Sequence, residues 1–193
     1  MKKVIAVLSM CAALVGTGYA QDANQDPMKA LGMLFGAGGT NAAVHHSELK
    51  ALLPTEFSGM KRVNSEAGKQ NAMGMNITYA QASYSDDNAS LDVKITDMSG
   101  MGQLMIFAEY GWANSEIERE TETGYERTVK LDGFPAKESY DTESQSGKLE
   151  IFVDSRFMVE IDGNSIAMEK LKELVSAINL SKLQSLKPKP PAQ

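Results

Sequence analysis

Between Met75 and Gly163 the chain repeats one pattern, short runs of alternating apolar and polar residues that each close at a turn. In "SLDVKITD", Leu91, Val93 and Ile95 alternate with Asp92, Lys94 and Thr96. A period of two puts the apolar set on one face of an extended strand, so each run predicts a half-buried β-strand. "MNITYAQASYS" precedes it, with Met75, Ile77 and Tyr79 expected on one side. "DDNA" (Asp86 to Ala89) lies between the two as a hairpin turn. Downstream, "GYERTVKLDG" turns at Asp132-Gly133 into "FPAKESYD", with Phe134, Ala136, Glu138 and Tyr140 on a common side. "KLEIFVD" and "FMVEIDG" contribute Leu149, Ile151 and Val153, then Phe157, Val159 and Ile161. One-sided strands joined by short turns imply an antiparallel sheet with one covered face.

Three further segments read as helices, two of them as its cover. "SELKALLP" is a short helix with Ser47 as N-cap, ending at Pro54. In "SIAMEKLKELVSAINL", Leu171, Leu174, Val175 and Ile178 form a helical stripe, with Ser165 as its N-cap. Between the sheet halves, "ITDMSGMGQLMIFAEYGW" changes from period two to helical spacing at Met101, Leu104, Met105 and Ala108. That change predicts a turn over 97–102 and a second cover helix from Gln103 to about Trp112. The expectation is an α+β fold: one domain over 47–186 whose antiparallel sheet is covered by helices in an α/β/α sandwich.

The ends read differently. "MKK", the apolar run Val4 to Gly16 and "TGYA" have the layout of a secretory signal peptide, cleaved after Ala20, and the run is too short to span a membrane. Cys11 raises the rival of a lipoprotein, but Met10 stands where a lipoprotein signal wants a small residue. After cleavage no cysteine remains. Residues 21–46 read as a flexible Ala- and Gly-rich segment, and "KPKPPAQ" (187–193) as an extended tail. Without Lys2 and Lys3, 17 basic residues face 25 acidic ones, a net charge of −8. Such a surface repels phosphate backbones and anionic headgroups, so nucleic acid is not an expected partner.

The run "KLDGFPAKESYDTESQSGKLEIFVDSRFMVEIDG" and the amphipathic helix after it resemble the second half of the PsbP-like fold over about Gly124 to Leu180. The likeness rests on a G-apolar-P-A strand start, two further strands and a closing helix. "ELKALLP", "GYERT" and "GFPA" also make the body similar to uncharacterised exported bacterial proteins. The resemblance implies an α/β/α architecture and a non-catalytic binding or assembly role, and carries no catalytic residues over.

Several chemistries can be weighed residue by residue. "SGMG" lacks the lysine and Ser/Thr of a phosphate loop, since Gln103 and Leu104 follow Gly102. Met73, Met75 and Met98 are candidate thioether ligands for a soft ion such as Cu(I), with His45 and His46 as further donors. Core filling explains the same methionines. Glu116, Glu118, Glu120 and Glu122 alternate along "SEIERETE" and could face a hard cation, or form the solvated face of an edge strand. Trp112 reads as a packing anchor at a helix end. Hydrolase chemistry would have to take its base from His45 or His46, with no nucleophile elbow to meet it. The expectation is therefore an exported, periplasmic or secreted, non-catalytic protein without cofactor. It would bind an envelope protein or small ligand in the crevice between sheet and helices, a Met-based soft-metal binder being the alternative and a hydrolase the third reading.

Overall fold

A computed structural model describes residues 43–72, 75–101, 106–107 and 110–186. The alternating runs form strands, and they join into one sheet. A short helix α1 (His46–Lys50) leads into β1 (Glu56–Phe57), β2 (Met60–Ala72), β3 (Met75–Ser85) and β4 (Ser90–Asp97). The second half supplies β5 (Glu118–Glu120), β6 (Gly124–Leu131), β7 (Phe134–Asp141), β8 (Ser146–Val153) and β9 (Phe157–Asn164), then helices α2 (Met168–Ile178) and α3 (Leu180–Ser185). The order across the sheet is β1-β2-β3-β4-β9-β8-β7-β6-β5, antiparallel throughout. Two meanders thus meet at β4 and β9, paired from Ser90↔Asn164 to Asp97↔Phe157.

Helices α1, α2 and α3 all contribute to the core on one face. Leu91, Val93 and Ile95 of β4, Val159 and Ile161 of β9, and Leu149 and Ile151 of β8 are buried there. Met168, Leu171, Leu174, Val175 and Ile178 of α2 complete that core with Leu49, Leu180 and Leu183. Gly147 and Gly163 are register partners beneath α2. A Cβ on Gly163 would stand 2.6 Å from the Leu171 side chain and 2.4 Å from Ile166, so the close seating of the helix requires glycine there. Two acids are buried on this face. Glu138 is held by Arg127 and by Lys172, whose Nζ lies 2.7 Å from Oε2. Asp97 accepts from Arg156 at 3.1 and 2.8 Å, from the Val44 amide at 2.7 Å and from the Ser99 amide at 2.9 Å.

The expected sandwich is corrected. The protein is predominantly β, and α2, with 11 residues, is the one helix longer than six among the described residues. The sheet is larger than foreseen, because 56–57 and 60–72, where no apolar alternation announces a strand, form β1 and β2, and among the described residues its other face carries no helical layer. A helix layer needs an apolar surface beneath it, and this face is charged. Lys94 contacts Glu160 at 3.9 Å, Lys148 contacts Glu160 at 3.8 Å and Glu150 at 3.4 Å, and Lys137 contacts Glu150 at 2.7 Å and Glu126 at 3.8 Å. Arg119 closes this ladder on Glu126. Seven charges of alternating sign therefore cross six strands. Phe152 and Met158 make a buried apolar patch on this side, at one end.

That patch is covered by the crossover from β4 to β5. Of the cover helix expected over 103–112, residues 103–105 and 108–109 lie outside the described residues. What is described is helical at Ile106, Phe107 and Tyr110, followed by a 3-10 turn, Gly111–Asn114. Three smaller expectations are also corrected. The N-cap of α1 is His45, whose Nδ1 accepts from the Ser47 amide at 3.3 Å, rather than Ser47 itself. At α2 the N-cap is Ala167, with no side-chain cap, and Ser165 sits at φ 55°. On β3 the buried residues are Thr78, Ala80, Ala82 and Tyr84, not Ile77 and Tyr79, because α1 packs against the strand and leaves room chiefly for small side chains.

Candidate functional site

With most of the helical face filled by buried side chains, the concave surfaces lie mainly on the other side of the sheet: one of about 520 Å³ spreads over β5–β9 between Glu126, Lys148 and Asp162 and reaches round to Tyr140, and the others lie nearer the crossover. The crossover and the strands beneath it enclose a groove of about 400 Å³. Its floor takes residues that alternate outward from four strands: Glu66 and Gln70 of β2, Ile77, Tyr79 and Gln81 of β3, Lys94 and Thr96 of β4, and Glu160 of β9. Met98, Met101 and Tyr110 form the opposite wall. A second hollow of about 300 Å³ continues from it, sharing Gln81, Lys94 and Glu160 and reaching Ser83, Asp92 and Asp162.

Register explains the chemistry of each row. Gly68, Tyr79, Thr96 and Met158 stand side by side across β2, β3, β4 and β9. Tyr79 lies over Gly68, where a Cβ would be 3.2 to 3.4 Å from three atoms of the phenol. An adjacent row holds Glu66, Gln81, Lys94 and Glu160. Gln81 Nε2 donates to Glu66 Oε1 at 2.9 Å. The groove is thus amphipathic across its width, with aromatic and thioether groups on one side and donors and acceptors on the other.

The crossover wall is anchored from behind. Tyr110 stacks on Phe152 with ring centroids 5.6 Å apart, and Trp112 receives Lys137 Nζ 5.5 Å from its ring centre. Trp112 packs against the cluster of Met98, Ile106, Phe152 and Met158, the anchoring role expected of it. Electrostatics vary along the trough. Desolvation raises the pKa of Asp162 above the ordinary carboxylate value; Lys148 opposes that rise, and Glu150 and Asp92 add to it.

Of the candidate methionines, Met73 lies outside the described residues. Met75 pairs with Ala72 at the end of the β2–β3 hairpin. Met98 is 1% exposed in an apolar cluster and edges the groove. His45 and His46, at the start of α1, meet with tilted rings whose centroids are 4.2 Å apart. Among the described residues no group of three or more His, Cys, Asp or Glu side chains is arranged to hold a metal ion. Of the glutamate ladder, Glu118 and Glu120 lie in β5, at the edge of the sheet, and are exposed. Sequence reasoning missed the groove's polar residues because β2 carries no apolar alternation. The usable signal was Asp92, Lys94 and Thr96, the outward half of a strand whose inward half was plain.

Comparison of the chain with protein-family models, with curated proteins and with solved structures finds no match.

Proposed function

We propose that this is an exported, non-catalytic binding protein whose binding surface is the groove between the crossover and strands β2, β3, β4 and β9. The observation that carries the reading is the contrast between the faces. The helical side is packed to near-zero exposure, while the opposite side keeps a groove of about 400 Å³ with an extension of about 300 Å³. Sites for small molecules are typically concavities of roughly this size, with a few placed polar groups among apolar walls. This moves the expected binding place from the sheet–helix crevice to the open face. The rigid sheet supplies most of the groove's contacts, which favours recognition over a reaction needing moving parts. The exported address rests on the layout of residues 1–20, and cleavage after Ala20 would leave a chain beginning at Gln21.

The test fills the groove. Thr96→Trp places a large side chain on its floor, on a strand whose buried face is untouched. Native mass spectrometry and affinity capture from envelope extracts should find a ligand or partner on the wild type and lose it on the variant, at unchanged melting temperature. Retention by both proteins alike would refute the groove as the binding surface.

A further inference from the structure

Resting on the groove reading above, we infer that the ligand class is a neutral saccharide, bound with a ring against Tyr79 and its hydroxyl edge toward Glu66, Gln81, Lys94 and Glu160. The argument begins with what the walls exclude. An apolar molecule would strip water from two carboxylates, an amide and an ammonium without replacing their hydrogen bonds, at a cost of several kcal/mol by transfer data. A phosphate or other compact anion would meet Glu66 and Glu160 beside the one lysine. A metal cation would find Lys94 between those two acids. Neither sign of charge dominates the row, so a neutral ligand rich in both donors and acceptors fits it best.

A sugar has that character and a second feature the groove matches. Its ring presents an apolar C–H face and a polar rim, and an aromatic ring accepts C–H groups on its face. Tyr79 is held for this purpose by the missing side chain at Gly68, which lets the phenol lie down across β2. Tyr110, stacked on Phe152, gives the facing wall a second aromatic group. The polar row is ordered before any ligand arrives. Gln81 is tied to Glu66 at 2.9 Å, and Lys94 stands 3.9 Å from Glu160, loose enough to turn toward a hydroxyl. Such pre-ordering lowers the entropy lost on binding. The continuation past Lys94 toward Ser83, Asp92 and Asp162 offers further hydroxyl and carboxylate groups two residues farther along the same strands, so a linear oligosaccharide would extend along the strands rather than across them.

Isothermal titration of the full chain with maltotriose, cellotriose and tri-N-acetylchitotriose tests the inference, with triglycine as the zwitterionic comparison. At least one trisaccharide should bind with a Kd below about 1 mM while triglycine gives no heat. Tyr79→Ala should weaken that binding by roughly tenfold or more, and Tyr79→Phe, which keeps the ring, by less than about threefold. Gln81→Ala should weaken it, and Val63→Ala, at an exposed residue outside the groove, should leave it unchanged; circular dichroism checks that each variant folds. Silence with all three sugars, tighter binding of triglycine, or a Tyr79→Ala protein that binds as well as wild type overturns the saccharide. If the sugars fail while Thr96→Trp still abolishes capture of another compound, only the ligand class falls. If Thr96→Trp changes nothing at all, the groove reading falls with it.

Discussion

Asp162 shows how the charged face of the sheet sets a pH response. It stands opposite Asp92 on the neighbouring strand, and Lys148 is on its other side. Desolvation, with Glu150 and Asp92 nearby, raises its pKa in the folded protein, against the pull of Lys148. The folded value is above the unfolded one, so ionised Asp162 costs the fold at neutral pH, and the cost vanishes as pH falls through the folded value. Asp162→Asn should therefore melt above wild type at pH 7, with the gap closing on acidification into the carboxylate range. A gap that widens toward acid would show the opposite sign. At this scale the sequence was legible wherever one residue answers to one neighbour. Gly100 belongs to "SGMG", and a Cβ there would sit 2.0 Å from the Asn76 carbonyl oxygen. Its glycine is demanded by close approach to a strand, as the failed phosphate-loop reading left room for. Tyr84 was not legible, because its partner, the Pro54 carbonyl at 2.8 Å, is distant in sequence.

Among the elements, the C-terminal helix was the most legible, and its break the least. Leu171, Leu174, Val175 and Ile178 are all buried as their spacing required. The helix nevertheless stops at Asn179, which takes a left-handed conformation at φ 59° and caps α3 by accepting from the Lys182 amide at 2.9 Å. Asparagine tolerates that conformation better than most residues, and its carbonyl suits an N-cap. Asn179→Ala loses both and should cost about 1–2 kcal/mol in chemical denaturation, whereas Asn179→Gly, which keeps the backbone at ease, should cost less. Equal losses would mean the bend is imposed by packing alone. Strand β2 was invisible for a physical reason. An outer strand is stabilised mainly by its ladder to β3, and "MKRVNSEAGKQNA" has no apolar face of its own to announce it.

For the whole molecule, strand pairing was legible within each half, whereas the meeting of the halves was not. Local turns announce β3–β4, β6–β7 and β8–β9, but nothing short-range signals that β9 lies beside β4. That pairing is sealed from the side by the Arg156–Asp97 ion pair, 59 residues apart in sequence. That the described residues of this face carry no second helical layer was concealed for a similar reason, since the charge ladder exists only when six strands are aligned. Amide hydrogen exchange should accordingly be slowest in β4, β9 and β8, flanked on both sides and under α2, and fastest in β5 and the outer edge of β2. Uniform protection from β2 to β5 would contradict this gradient. The position of β9 also orders events in time. Because the last of the described strands to be made is the one that joins the two meanders, β4 keeps an open edge until β9 has emerged. A nascent or truncated chain ending before Phe157 has every turn of its first meander and no partner for its innermost strand. Such fragments should associate with one another rather than fold, and the protein's own final strand is what stops them.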